Sequence, residues 1–373
     1  MKVIFAAGGT GGHINPALAA AGELRERYPD AQILFVGTKD KMESRLVPKA
    51  GFDFTTISIS GFQRRISIKN IFRNIATLWR LATCGFAVKK ILRSFRPDVV
   101  IGFGGYVSGP VVRAAAKMGI KTAIHEQNAF PGVTNKMLAK QVDAVMLTVE
   151  KAAEYLECKN KPVVTGLPVR GEILRADKDF AKAELGLDEK PVVLSFGGSL
   201  GAKTINEAMT SVIAQLYAEN KCNFVHAYGQ YGKWVPDKLR EKGVDLDNAK
   251  NVTVSEYIHN MDKCLAAADV VICRSGASTL AELEAVGRAS ILIPSPNVAE
   301  NHQYHNAMTL VNANAARVIE EKDLTHDKLI SVVNELLDNS ILCEEMGRNA
   351  KKLSVADSQK QICDVIVSLA ESK

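Results

Sequence analysis

Residues 2–17 read KVIFAAGGTGGHINPA, and residues 191–206 read PVVLSFGGSLGAKTIN. Each is a short apolar run that breaks into a glycine-rich loop and then into a helix-forming stretch, with Gly8 and Gly197 at matching places 189 residues apart. A run that is apolar throughout, rather than alternating, reads as a strand buried on both faces, as in a parallel sheet covered by helices. The chain keeps this rhythm after each copy. AQILFVG, DVVIGFGG, KTAIHEQ and DAVMLTV follow the first, interleaved with helical stretches near Ala17–Tyr28, Met42–Ala50, Val111–Met118 and Thr134–Lys140. NFVHAYG, NVTVSEYI, DVVICRSGAS and ASILIPSP follow the second.

Strand–helix alternation that restarts predicts two doubly wound α/β domains. Pro162, Gly166 and Pro168 punctuate KPVVTGLPVRGEI and place the boundary there, giving domains 1–165 and 166–354. The last helix, near Gln359–Ser372 within about 355–373, lies beyond the second domain's final strand and is expected to return to the first domain. Ligands of open parallel sheets bind at the carboxyl ends of the strands, so two such domains facing across a cleft would hold the substrate in it.

A length of 373 residues suits two cores, and 47% hydrophobic with 24% charged residues is ordinary for a globular chain. Seven cysteines without a CxxC pair imply neither a zinc site nor a disulfide framework, and point to a reducing cytosol. The chain enters strand and glycine loop directly, which predicts no cleaved leader. Its longest apolar candidate, Ile75–Val88, is 14 residues with Arg80 inside it, short of the roughly 20 that cross a bilayer.

Charge is uneven. Residues 1–170 hold 25 Lys/Arg against 12 Asp/Glu, and the remainder 22 against 29. From Phe54 to Pro97 there is no acid but nine bases, interleaved with Ile66, Ile68, Ile71, Phe72, Ile75, Leu78, Trp79, Leu81, Phe86, Val88, Ile91 and Leu92. A basic amphipathic stretch of this kind reads as a surface for anionic lipid, or as core helices with a solvated basic face. Nucleic acid is not expected as a partner, since no binding module accompanies the charge.

The first loop joins a phosphate cradle to a group that takes a proton near neutral pH. Clustered glycines let backbone amides approach an anion, and the helix behind them favours negative charge. His13 adds a possible general base. A plain strand-to-helix turn would use the same glycines. The dinucleotide fingerprint fails, because Ile14 stands where its third glycine belongs and the acid after the second strand, Asp40, lies beyond the strand tip.

The second loop, GGSLGA, also satisfies the G-x-S-x-G of a hydrolase elbow, but no histidine at a later strand end stands out to complete a triad. In RSGASTLAE a helix begins after Arg274, which suits a diphosphate, and Glu282 within its first two turns suits ribose hydroxyls or simply the helix dipole. HEQN (125–128) packs four polar residues behind an apolar strand. His302 and His305 lack a nearby third ligand, and the strings Asp177-Lys178-Asp179 and Asp245-Leu246-Asp247 stand in charged surroundings, so no metal or other cofactor is expected.

In order along the chain, GGTGGHINPA (8–17), GFGGYVSGP (102–110), HEQNAFPG (125–132), GLPVR (166–170), GGSLGA (197–202), RSGASTLAE (274–282) and HQYHNA (302–307) resemble one family. It is that of the bacterial peptidoglycan glycosyltransferases that add N-acetylglucosamine from UDP-N-acetylglucosamine to undecaprenyl-diphospho-N-acetylmuramoyl-pentapeptide. The resemblance implies two Rossmann-like domains of the GT-B type, an inverting reaction without bound metal, and a peripheral place on the cytoplasmic face of the plasma membrane. It assigns phosphates or sugar to Arg170 and Ser199, uracil to Ile258, the nucleotide to Ala277, Ser278, Thr279, Leu280, Ala281 and Glu282, with Glu282 on the ribose, and the sugar hydroxyls to Gln303. Thr10, Gly11, Gly12 and Asn128 would reach the substrates from the first domain, with His13 as the base and Glu126 as the next candidate for that role. Leu167 and Leu200 stand where the family commonly carries amides. A UDP-N-acetylglucosamine 2-epimerase and a non-catalytic nucleotide-sugar sensor at a membrane surface are the alternative readings.

Overall fold

The computed structural model describes residues 1–59 and 84–372. They divide into two compact units, Met1–Pro168 with Val355–Lys373, and Val169–Ser354.

In the first unit, seven parallel strands lie in the order β3-β2-β1-β4-β5-β6-β7. They are β1 (Lys2–Ala6), β2 (Gln32–Gly37), β3 (Asp53–Thr56), β4 (Val99–Gly102), β5 (Lys121–Glu126), β6 (Ala144–Leu147) and β7 (Val163–Val164). Connecting them are α1 (Gly11–Arg27), α2 (Glu43–Lys49), α3 (described over 84–95), α4 (Gly105–Lys117), α5 (Val133–Ala139) and a 3₁₀ turn, Glu150–Tyr155. Val3, Ile4, Phe5 and Ala6 are all fully buried, as a central strand with both faces covered requires. Helix α1 presents Ala17, Ala20, Ala21 and Leu24 to that sheet at spacings of three and four, and the alanines let it lie close.

Two helices begin earlier than their sequences promise. α1 starts at Gly11 rather than near Ala17, because extended Thr10 turns its carbonyl to accept the amides of His13 and Ile14 at 3.1 and 3.2 Å. α4 starts at Gly105 rather than near Val111. Glycines lower helix propensity in solution but are chosen here for close approach: a Cβ on Gly105 would stand 2.2 Å from the Gly8 carbonyl oxygen, and its φ is +74°.

The terminal helix α15 (Ser358–Glu371) belongs to this unit. Ile362, Cys363 and Ile366 are fully buried against α1 and the sheet, the two isoleucines worth about 1.5–3 kcal/mol apiece. Arg27 pairs with Asp364 at 2.7 Å at its edge.

The second unit repeats the plan with six parallel strands in the order β10-β9-β8-β11-β12-β13. These are β8 (Val192–Phe196), β9 (Asn223–Ala227), β10 (Val252–Ser255), β11 (Val270–Cys273), β12 (Ala289–Leu292) and β13 (Ala316–Val318). Helices α6 (Gly171–Arg175), α7 (Lys178–Glu184), α8 (Lys203–Ala218), α9 (Val235–Glu241), α10 (Met261–Ala267), α11 (Ala277–Val286), α12 (His302–Asn312), α13 (His326–Leu337) and α14 (Ser340–Leu353) complete it. The chain order reverses between β1 and β4 in one sheet and between β8 and β11 in the other. Ligands of doubly wound sheets bind at the carboxyl ends of such switch strands, and there the glycine loops fall.

Most of the basic stretch, residues 60–83, lies outside the described residues. In the described part, α3 turns Cys84, Val88 and Leu92 into the core, so those apolar positions are packing rather than a surface patch. Phe86 remains 80% exposed, and Lys89, Lys90 and Arg93 are exposed with it. No described helix is long and apolar enough to cross a membrane.

Candidate functional site

At the end of β1, Gly11 and Gly12 occupy the first turn of α1, where backbone amides have no acceptor within the helix. Thr10 and Gly12 are exposed, so an anion can reach this turn. His13 follows, half-buried. Its Nδ1 lies 3.2 Å from the Gly8 carbonyl oxygen and 3.3 Å from Thr10 Oγ1. A carbonyl only accepts, so Nδ1 carries the hydrogen and Nε2 of the neutral ring keeps its lone pair. Gly104 makes room for that edge: its φ is +92°, and a Cβ there would stand 2.9 Å from His13 Cδ2 and 3.1 Å from Nε2.

The HEQN segment ends β5, and His125, Glu126 and Gln127 within it are buried. Glu126 is 2% exposed. Its Oε1 accepts from the amide and the Nδ2 of Asn128 at 2.9 and 3.2 Å, and its Oε2 from the Gly132 amide and Asn135 Nδ2 at 3.1 and 2.8 Å. Burial raises its pKa and the four donors oppose the rise. A carboxylate engaged in this way shapes the loop that carries Asn128, and to act as a base it would have to leave these four donors. His125 is fully buried, with its pKa lowered to about 4 by desolvation. Its Nε2 donates to the Gly166 carbonyl at 2.9 Å, and Gln127 Nε2 lies 3.2 Å from its Nδ1.

In the second unit the chain leaves β11 through Arg274, Ser275 and Gly276, and α11 begins at Ala277 with no side-chain cap. Ala277, Ser278, Thr279 and Glu282 are partly exposed. Arg170 Nε and Nη2 reach Glu282 Oε1 at 3.2 and 3.1 Å, so two residues 112 apart in sequence meet. Burial raises the Glu282 pKa and the arginine charge holds it back. Ser199 is exposed in the loop after β8. Gln303, in the first turn of α12, accepts the Ser295 amide at its Oε1, 2.9 Å, while its carbonyl accepts from Ser275 Oγ at 2.8 Å.

Three residues expected to line the nucleotide have buried side chains. Ile258 is 6% exposed, and Leu280 and Ala281 are 5% and 7%, with Ile258 and Leu280 in the apolar core of the unit. Leu280 packs among the core residues beneath α11 and Ala281 is buried beside it, so contacts from these positions to a ligand would be made by main chain. Arg274, at the strand tip, donates to the carbonyls of Ile293 and Pro294 at 3.1 Å each and pairs with Glu321, which fixes the loop after β12.

Several supporting residues carried no sequence signal. They are Glu43, Thr38, Asn135 and Ser275, none of which stands out in a motif. Each is buried and hydrogen-bonded: Thr38 and Gly9 to Glu43, Asn135 to Glu126, and Ser275 to the Gln303 carbonyl.

Residues 3–147 match the Glycosyltransferase family 28 N-terminal domain and residues 192–362 the Glycosyltransferase family 28 C-terminal domain. Over 370 residues the chain is 45% identical to the UDP-N-acetylglucosamine–N-acetylmuramyl-(pentapeptide) pyrophosphoryl-undecaprenol N-acetylglucosamine transferase of Thermoanaerobacter sp. (strain X514), covering 99% of this chain and 100% of that protein. The crystal structure of Acinetobacter baumannii MurG superposes with a TM-score of 0.79 at 29% identity over 98% of this chain and 99% of that one. A UDP-GlcNAc 2-epimerase from Neisseria meningitidis, bound to UDP-GlcNAc, shares the fold, with a TM-score of 0.66 at 14% identity over 99% of this chain and all of that one. Glycine turns at both switch points, a histidine bonded through Nδ1 to the first of them and an acid at the head of α11 sit in a chain of this identity and coverage, and the chain belongs to the family 28 UDP-N-acetylglucosamine–N-acetylmuramyl-(pentapeptide) pyrophosphoryl-undecaprenol N-acetylglucosamine transferases, a group of GT-B enzymes.

Proposed function

We propose that this enzyme moves N-acetylglucosamine from UDP-N-acetylglucosamine to the 4-hydroxyl of undecaprenyl-diphospho-N-acetylmuramoyl-pentapeptide, inverting the anomeric centre, in peptidoglycan synthesis. The observation that carries the chemistry is the hydrogen bond from His13 Nδ1 to Gly8, which leaves Nε2 as an acceptor beside an anion-binding turn. Nε2 takes the proton of the 4-hydroxyl as its oxygen attacks the anomeric carbon, and the bond to UDP breaks with its electrons on the diphosphate. Arg170, Ser199 and the first-turn amides of Ala277–Thr279 meet that charge. Glu282 accepts the ribose hydroxyls, and Gln303, anchored through its Oε1, turns its amide nitrogen to the sugar. Main chain at Ile258 meets uracil, and Thr10, Gly11, Gly12 and Asn128 complete the contacts from the first unit.

The enzyme works at the cytoplasmic face of the plasma membrane and is held there by anionic lipid. Nine bases without an acid from Phe54 to Pro97, and the exposed Phe86, Lys89, Lys90 and Arg93 on α3, support that placement. A labelled-donor assay with a lipid-diphosphate acceptor tests the whole reading: label on the lipid supports it, and an epimerised donor or an unchanged one rejects it.

A further inference from the structure

Glu43, the first residue of α2, is 0% exposed, and no residue of the chemistry above accounts for it. Its Oε1 accepts from the Thr38 amide at 3.1 Å and from Thr38 Oγ1 at 2.6 Å, at the end of β2. Its Oε2 accepts from the Gly9 amide at 3.2 Å. The surroundings are cut to fit this side chain: a Cβ on Gly8 would stand 2.8 Å from its Oε1, and one on Gly37 would stand 2.6 Å from its Cγ. Three donors on a carboxylate explain how a charge can be buried here.

The partner on Oε2 is what matters. The Gly9 N–H and the Gly8 C=O belong to one planar peptide unit. Glu43 accepts from the N–H side, and His13 Nδ1 donates to the C=O side. A carboxylate drawing on the N–H pushes electron density onto the carbonyl oxygen, and hydrogen bonds in such a chain strengthen one another. We propose that Glu43 is a positioning residue for the general base, acting through the Gly8–Gly9 peptide to hold His13 as the Nδ1–H tautomer and to stabilise the imidazolium formed when Nε2 takes the proton. The arrangement does what a carboxylate bonded directly to a catalytic histidine does, with one peptide unit interposed.

This inference rests on His13 being the base. Other titratable groups stand near: Tyr106 of α4, whose ring lies beside Gly9, and the exposed Lys39, Asp40 and Lys41, which precede α2 in the chain. Glu43 differs from them in being bonded to the peptide that His13 uses.

Glu43→Gln keeps the shape and an acceptor oxygen but removes the charge. Less stabilisation of the imidazolium weakens the base, so kcat should fall about three- to tenfold with the donor KM within about twofold, and the acid limb of the kcat profile should move to lower pH by about half a unit to one unit. In a His13→Ala background the same change should cost nothing further. An unmoved acid limb, or an equal loss in the His13→Ala background, would show that Glu43 only maintains the fold and overturns the proposal. A His13→Ala enzyme with near-normal kcat overturns it at its root, by removing the base itself. Should Glu43→Gln not fold, NMR of the ¹⁵N-labelled native enzyme decides: the Gly9 amide resonance titrating together with a His13 ring protonated at Nδ1 supports the relay, and a stationary Gly9 resonance or an Nε2–H tautomer refutes it.

Discussion

Arg170 and Glu282 form a fork-to-oxygen pair, with Nε and Nη2 of one both on Oε1 of the other, between the loop that opens the second unit and the head of α11. Half of the arginine side chain is exposed, so the pair itself adds little to stability. In the proposed reaction its use is to orient a carboxylate and a guanidinium toward one ligand. Glu282→Ala should therefore raise the KM for UDP-N-acetylglucosamine by about tenfold to a hundredfold, the equivalent of about 1.5–3 kcal/mol for hydrogen bonds to a charged acceptor, with a smaller change in kcat. Steady-state kinetics with varied donor checks this, and an unchanged KM removes the ribose from this helix.

His13→Ala should show the opposite split. Loss of a general base lowers turnover by about a hundredfold or more and leaves ground-state donor binding intact. Donor affinity measured by calorimetry alongside kcat separates the two effects. Near-normal turnover would make His13 a structural residue.

Two buried groups give stability opposite dependences on pH. His226 is fully buried beside Ser195, 2.7 Å from Nδ1 to Oγ, and burial lowers its pKa to about 4. The unfolded chain binds the proton first, so stability is complete above about 6.5 and is lost as pH falls toward 4, by about 1–3 kcal/mol. Burial raises the Glu284 pKa to about 8, from 4.5 in the unfolded chain. Here the folded chain holds the proton longer, so stability is present below about 4.5 and is lost as pH rises through 8. In urea unfolding, Glu284→Gln should stabilise the protein by about 1–3 kcal/mol at pH 8 and hardly at all at pH 4.5. His226→Gln should flatten the acid side of the stability curve. A uniform effect of either variant across pH would contradict these assignments.

Replacing Arg73, Arg80, Lys89 and Arg93 with glutamine should reduce binding to anionic vesicles, each base contributing about 1 kcal/mol at low salt. Activity on the full-length lipid acceptor should fall with it, and activity on a short-chain soluble acceptor should survive. Vesicle sedimentation and the two assays check this together. Equal loss on both acceptors would mean that these bases serve the fold or the active site.

Local pattern determined much of this protein. Short continuous apolar runs broken by glycine loops and repeated between helical stretches read as parallel strands buried on both faces, so KVIFAA and PVVLSF announced two doubly wound sheets, with glycine loops at the carboxyl ends of their switch strands. The contact of His13 with the glycine turn was legible because the two are neighbours in sequence. Tertiary structure alone decided which polar residues face one another. Glu126 and Glu43 are both acids near strand ends, yet one is enclosed by Asn128, Gly132 and Asn135, and the other bonds a peptide 34 residues away. Leu280 and Ala281 follow Thr279 in one helix, and a helix turns 100° per residue, so neighbours in a motif diverge between core and solvent. A hydrogen bond is fixed by distance and angle over a few ångströms, and only the folded chain brings Arg170 to Glu282 or Glu43 to Gly9 within that range.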